Sequence, residues 1–207
     1  MSDIGFPRQD NDFKTIAKGE QDDKNGTVGK TWKRAYQGIG RCNSMLQVID
    51  EKSSLLTESE IKQFKGEALF LRAYYYTHLV TYFGDVPLIL KPVVSVDEGL
   101  SVTRTPKDQV IDQIFADYEE AAQLLPATYS KAADKGRATS GTANAYKARA
   151  ALYFAKWDVA ATAAQAVISS GVYKLYPKYG DLFLPVGLWD PSNQEIILMK
   201  EYSSELN

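Results

Sequence analysis

The chain contains one cysteine, Cys42, and one histidine, His78. A single thiol excludes an internal disulfide and any zinc site built from several cysteines. A lone imidazole has no spaced set of further ligands around it, so no metal site is expected. Neither sign of charge dominates. The 24 Lys and Arg stand against 26 Asp and Glu, and a net of −2 gives no general attraction to nucleic acid or an anionic membrane. No apolar run reaches the roughly 18 residues of a spanning helix. The opening MSDIGFPRQD lacks the hydrophobic stretch of a secretory leader, so no export signal is expected in it. No complete Gly-x-x-x-x-Gly-Lys-Ser/Thr phosphate-binding loop, Gly-x-Ser-x-Gly elbow or His-Glu-x-x-His pattern is present. Gly38-Ile39-Gly40 sits in a helical pattern and follows no strand, which removes it as a dinucleotide loop. No base stands ready to activate a Ser or Cys. Glu119-Glu120, as neighbours on a helix, point in different directions, so a solvated face is the reading in place of a glycosidase pair. Asp22-Asp23 reads the same way. Asn25-Gly26-Thr27 has the form of a glycosylation sequon, which matters only in a eukaryotic secreted protein. The chain is expected to be no enzyme and to carry no cofactor.

What is present is an ordinary globular balance, 44% apolar and 24% charged, in 207 residues. That length suffices for one domain, or one and a half, with a real core. The most informative stretch is Lys65 to Leu90, KGEALFLRAYYYTHLVTYFGDVPLIL. Thr57, with Glu60 three positions on, is a capping-box pattern that opens a helix. Leu69, Tyr76, Val80 and Phe83 form one apolar stripe, and Phe70, Ala73, Tyr74 and Leu79 widen it, so this helix is packed on more than one side. Gly84 supplies the left-handed stop and Pro87 prevents a restart. Val86 to Val94 is extended, with prolines that demote it from a central strand.

Upstream, residues before Trp32 read as polar loop. Thr31 is a candidate cap, and Trp32, Tyr36, Ile39, Cys42, Leu46 and Ile49 give an amphipathic helix to about Asp50. Cys42 reads as a small core residue and His78 as a hydrogen-bonded structural residue. Downstream, Thr105-Pro106 starts a helix whose buried face runs from Val110 to Leu125 and which ends at Pro126. Thr139 or Ser140 caps another, with Ala145, Ala148, Ala151 and Leu152 on a close-packing face. A further helix, Trp157 to Ser170, is closed by Gly171. After Val172 the texture becomes irregular, and Glu195 to Met199 has strand character. The join YFAKWDVAATAAQAVI resembles a tetratricopeptide junction, an aromatic followed by small residues that let helices approach. A generic helical bundle with alanines at contacts fits the same spacing.

Aromatics make up 12% of residues, with 13 tyrosines. Those in helices read mostly as core. Trp189, Tyr179 and Trp32 at a helix mouth are candidates for platforms on which a sugar ring stacks, with packing as the alternative for each.

Several segments in order resemble the SusD/RagB family of surface glycan-binding lipoproteins of the Bacteroidota. They are Gly66-Glu67-Ala68, then Phe70 to Tyr76 with Arg72 and Tyr75, then Tyr82-Phe83-Gly84-Asp85-Val86-Pro87-Leu88. Trp32, Tyr36, Ile39 and Asn43 continue the likeness, as do Arg104 and Pro106, Asp117 with Leu124-Leu125-Pro126, Gly136 to Thr139, and Ser170 to Leu175. It covers about residues 30 to 200.

The resemblance implies an all-α fold of tetratricopeptide-like helical hairpins, with irregular loops and a minor C-terminal strand. It divides the chain into a polar N-terminal loop segment (1–30), a helical repeat region (31–171) and an irregular segment (172–207) leading into a missing C-terminal half. It implies an oligosaccharide ligand, a SusC-like TonB-dependent porin as partner and the outer face of the outer membrane as location. Nucleic acid is not an expected partner, and the membrane is met only through a lipid anchor that the chain lacks. Asp3, Arg8 and Trp32 are the candidate ligand residues. Gly66, Glu67, Arg72, Tyr75, Gly84, Asp85 and Pro87 are expected to be structural members of the motif. The alternative is a tetratricopeptide-like protein-interaction scaffold without its own ligand site.

Overall fold

The computed structural model describes residues 12–199 apart from 132, 133, 135, 189 and 191. Among them the chain is all-α, with eight α-helices and no strand. Five long helices carry the fold: α2 (Gly26–Glu51), α3 (Glu58–Phe83), α5 (Lys107–Leu124), α6 (Ser140–Tyr153) and α7 (Trp157–Ser169). Of three short ones, α1 (Asp12–Ala17) precedes α2, α4 (Val96–Ser101) lies between α3 and α5, and α8 (Pro185–Leu188) follows α7. The long helices pack in chain order, α2 on α3, α3 on α5, α5 on α6 and α6 on α7, the tetratricopeptide-like arrangement.

The helix ends follow local chemistry. Thr57 accepts from the Glu60 N–H while the Glu60 carboxylate receives the Thr57 N–H at 2.8 Å, so α3 opens on a capping box. Thr139 and Thr142 do the same for α6. Gly84 ends α3 with φ 68°, a conformation that side chains resist. The start of α2 differs from the Thr31 expectation. Asn25 is the cap, its side chain accepting from the Thr27 and Val28 N–H groups. Thr31 lies inside the helix and returns its hydroxyl to the Thr27 carbonyl. Position 25 precedes a run of small and polar residues, so the periodic apolar signal begins a full turn after the helix does.

The expected minor C-terminal strand does not form. Residues 195–199 lie extended or bent with no partner strand. The Thr142 hydroxyl donates to the Ile197 carbonyl, and Leu198 packs on the core. The apolar residues here are half-buried, and among the described residues no strand lies alongside to offer a ladder.

The core is centred on α3. Tyr76, Leu79, Ile39, Ile114, Val110 and Tyr118 are fully buried. Two glycines permit the close packing. A Cβ on Gly38 would come within 2.3 Å of the Tyr75 ring, and one on Gly66 within 2.8 Å of Leu125. Gly38 is therefore the slot by which α2 admits Tyr75 of α3. Cys42 is buried, and burial pushes its thiol up to about 11, away from the reactive range.

Candidate functional site

Two polar constructions organise the molecule. The first holds the extended segment between α3 and α5. This segment has no neighbouring strand apart from one isolated bridge, Val86 to Thr105. Its backbone groups must still be satisfied, and helix side chains do this. Tyr36 donates to the Pro87 carbonyl at 2.8 Å. The Tyr76 hydroxyl accepts from the Ile89 N–H at 2.7 Å and donates to the Ile89 carbonyl at 3.0 Å. Burial pushes the Tyr76 phenol up to about 12, so it stays a donor. Asn43 donates to the carbonyls of Ile89 and Lys91 at 2.9 and 3.3 Å. Arg72 clasps Asp117 of α5 with two bonds of 2.7 and 2.8 Å and gives a third, of 3.0 Å, to Asn43. Gln113 completes the Asp117 shell at 2.7 Å. No buried side-chain polar atom among the described residues is left without a partner.

Gly66 receives Leu125. Glu67 takes two 2.7 Å bonds from Arg137 and so fixes the loop before α6. Arg72 and Glu67, five positions apart, thus bond to different elements. Tyr75 fills the Gly38 slot, and Gly84 turns the chain. Asp85 accepts the Lys107 N–H at 2.8 Å, at the start of α5. The Pro87 carbonyl is the anchor for Tyr36. Glu119 and Glu120 do point apart, one to Lys147 of α6 and the other to Lys65 of α3.

Of the candidate ligand residues, Asp3 and Arg8 lie outside the described residues, as does the platform candidate Trp189. Trp32 is half-buried. Its ring lies 5.0 Å from those of Tyr36 and Phe83, and the Arg104 guanidinium sits 5.3 Å from its centre. The contact with Phe83 joins α2 to the end of α3. Tyr179 is exposed and leans edge-on against Phe183.

The second construction is a cleft of about 390 Å³ between α3 and α6, walled by Tyr74, His78, Tyr82, Tyr146, Arg149 and Tyr153. Tyr74, His78 and Tyr82 recur every four residues on α3, on the side of the helix facing α6. Their rings form a ladder, Tyr74 to His78 at 4.5 Å and His78 to Tyr82 at 6.0 Å, nearly parallel. Tyr146, Arg149 and Tyr153 recur at three and four on α6. Tyr82 and Tyr153 are each 64% exposed, so ring faces are open to solvent. Burial, then the nearby Arg149 charge, holds His78 below its ordinary value, and it is neutral at neutral pH. Ring contacts surround His78 where a hydrogen bond was expected; no side-chain hydrogen bond among the described residues involves it. On sequence alone the α3 tyrosines read as core, and nothing marks Tyr82, Arg149 and Tyr153 as walls of one cleft. Their four-residue spacing carried the signal, but a core stripe has the same period. Among the described residues no group of three or more His, Cys, Asp or Glu is placed to hold a metal ion. No described helix is long and apolar enough to cross a membrane.

A stack of helical hairpins with an aromatic cleft and a frame of buried polar clasps defines a tetratricopeptide-like helical scaffold. The comparisons carry this to a family. A SusD-like family model, described as starch-binding and associating with the outer membrane, matches residues 2–152. The chain belongs to the SusD-like family. It is 31% identical over 188 residues to SusD-like protein P2 of Formosa agariphila, an alignment covering 88% of this chain and 36% of that protein. A SusD-like carbohydrate-binding protein from Bacteroides fragilis has the same architecture, with a TM-score of 0.84 at 28% identity over 94% of this chain and 37% of that one. A laminarin-binding SusD-like protein matches with a TM-score of 0.67 at 35% identity, over 73% of this chain and 33% of that one. The chain spans about a third of the length of these relatives.

Proposed function

We propose that this chain is the helical-hairpin part of a non-enzymatic glycan-binding subunit. It captures an oligosaccharide at the outer face of the outer membrane and passes it to a SusC-like TonB-dependent porin. The observation that carries this reading is the α3–α6 cleft, with open tyrosine faces beside polar tips. Pyranose rings present C–H faces that suit aromatic stacking, and their hydroxyls need fixed donors and acceptors. Capture of this kind breaks no bond. Family membership supports it, as do the carbohydrate-binding and laminarin-binding names of two similar structures. So does the commitment of Asp117, Glu67, Glu119 and Glu120 to cations, which leaves them as framework and not as acid and base. Titration calorimetry of the chain and of the longer protein against a glycan panel tests this. Saturable heat with one glycan and no change in its chain length is expected. Absence of heat with every glycan would remove the reading.

A protein-interaction scaffold is the second reading. It is favoured by the exposed Leu152, Trp157 and Ile168 of α6 and α7, at 56%, 63% and 69%. Retention of the porin by the immobilised chain, lost on Trp157→Ala, would support it.

A further inference from the structure

We propose that the α3–α6 cleft receives an acid-bearing sugar unit, a uronic acid or a sulfated monosaccharide, with Arg149 as the residue that takes the charged group. This rests on the glycan-binding reading above and names its substrate class. Four observations converge. The cleft, at about 390 Å³, lies in the range of small-ligand sites, roughly 300–1,000 Å³. Its polar tips are unpaired: among the described residues no side-chain hydrogen bond or ion pair involves Tyr74, His78, Tyr82, Tyr146, Arg149 or Tyr153. The neighbouring arginines contrast with this. Arg72 is clasped by Asp117, Arg137 by Glu67, and Arg104 donates to the carbonyls of Phe83 and Asp85.

The third observation is charge. No Asp or Glu lines the cleft, in a chain where acids outnumber bases. Glu119, on the adjoining helix, is held by Lys147 and does not reach Arg149. A neutral sugar is served by hydroxyl, amide or carboxylate partners alike, whereas a carboxylate or sulfate calls for a charged donor with no acid beside it. Here the threonine hydroxyls at the cleft floor already donate to the Ala73 and Thr77 carbonyls, and the guanidinium offers five donors and no acceptor. Fourth, His78 is neutral, which leaves Arg149 as the cleft's positive charge and His78 as a donor and acceptor for hydroxyls. A planar guanidinium accepts a carboxylate or sulfate through paired bonds, and ring faces on both sides hold the pyranose.

The test is calorimetry of the 207-residue chain with oligogalacturonate, its fully methyl-esterified form, a sulfated galactan oligosaccharide and a neutral laminari-oligosaccharide. Binding of an acid-bearing oligosaccharide is expected to exceed that of the neutral ones by about tenfold or more. The carboxylate and sulfate arms decide which acid is preferred. Arg149→Ala should remove that preference while leaving weak neutral binding in place, Arg149→Lys should restore part of it, and Tyr153→Ala should weaken all ligands together. Equal binding of the acid and its methyl ester, or indifference to Arg149→Ala, would overturn the proposal and leave glycan binding standing. Silence with all four would overturn both. A ligand-free melting temperature lowered by Arg149→Ala would show that the guanidinium serves the fold, and would also overturn the proposal.

Discussion

Removing the Arg72 guanidinium, by Arg72→Leu, should be among the most damaging single changes available to this chain. The side chains of Arg72 and Asp117 are 8% and 2% exposed. The mutation leaves Asp117 charged and buried with Gln113 as its remaining partner, frees the Asn43 oxygen, and withdraws a donor from the Leu90 carbonyl. Breaking one side of a buried pair costs about 3–5 kcal/mol because the other charge stays behind. The orphaned Asn43 oxygen costs about 1–3 kcal/mol more if water cannot reach it. A domain of this length loses about 2–4 °C in Tm per kcal/mol, so the broken pair alone lowers Tm by about 6–20 °C. Thermal unfolding followed by circular dichroism measures it. Arg72→Leu combined with Asp117→Leu should recover part of the loss, since no lone charge remains. The recovery must be incomplete, because the Asn43 oxygen and the Leu90 carbonyl still lack the donor that Arg72 supplied. A single mutant within about 0.5 kcal/mol of the parent, the ordinary range for surface changes, would refute the argument that this clasp anchors the extended segment.

Three further outcomes follow from the same coordinates. Gly38→Val should destabilise by about 1–3 kcal/mol through overpacking against the Tyr75 ring, measured by urea unfolding, and Tyr75→Ala in the same chain should relieve part of it. Thr57→Ala should cost about 1 kcal/mol by opening the α3 capping box. His78 has a folded value below its ordinary 6.5, so the unfolded chain takes up its proton first. Stability should therefore fall as pH drops from 6.5 toward that lower folded value, and His78→Gln should flatten this part of the stability profile.

Much of the fold was legible because the punctuation was chemical. Thr57 with Glu60, Gly84, Pro126 and Thr139 each announced a helix end by what their atoms can bond. The start of α2 was hidden because Asn25 caps a turn, Gly26-Thr27-Val28-Gly29, that carries little periodic apolar signal. Glu195 to Met199 misled through composition, since β-branched residues suit any buried surface and a strand needs a neighbour that composition does not reveal. The clasp partners were also hidden. Arg72 and Asp117 are 45 residues apart, and only the folded chain shows that they meet. The cleft escaped notice for a different reason. Tyr74, His78 and Tyr82 repeat at four residues as core residues do, and only their openness to solvent separates them from Tyr76 and Leu79.

Apart from the burial of Val86 and Leu88, the grip on the segment after Gly84 falls on its peptide groups, with Tyr36, Asn43, Arg72 and Tyr76 reaching carbonyl oxygens and one N–H. Every amino acid carries a carbonyl, so the hold is indifferent to which residues supply it. Leu90, Val93 and Val94 already turn outward, at 38%, 43% and 86% exposure. Their identities are therefore open to drift or to engineering, and a short recognition tag or altered lettering could be written there while the helices remain unaware of the change.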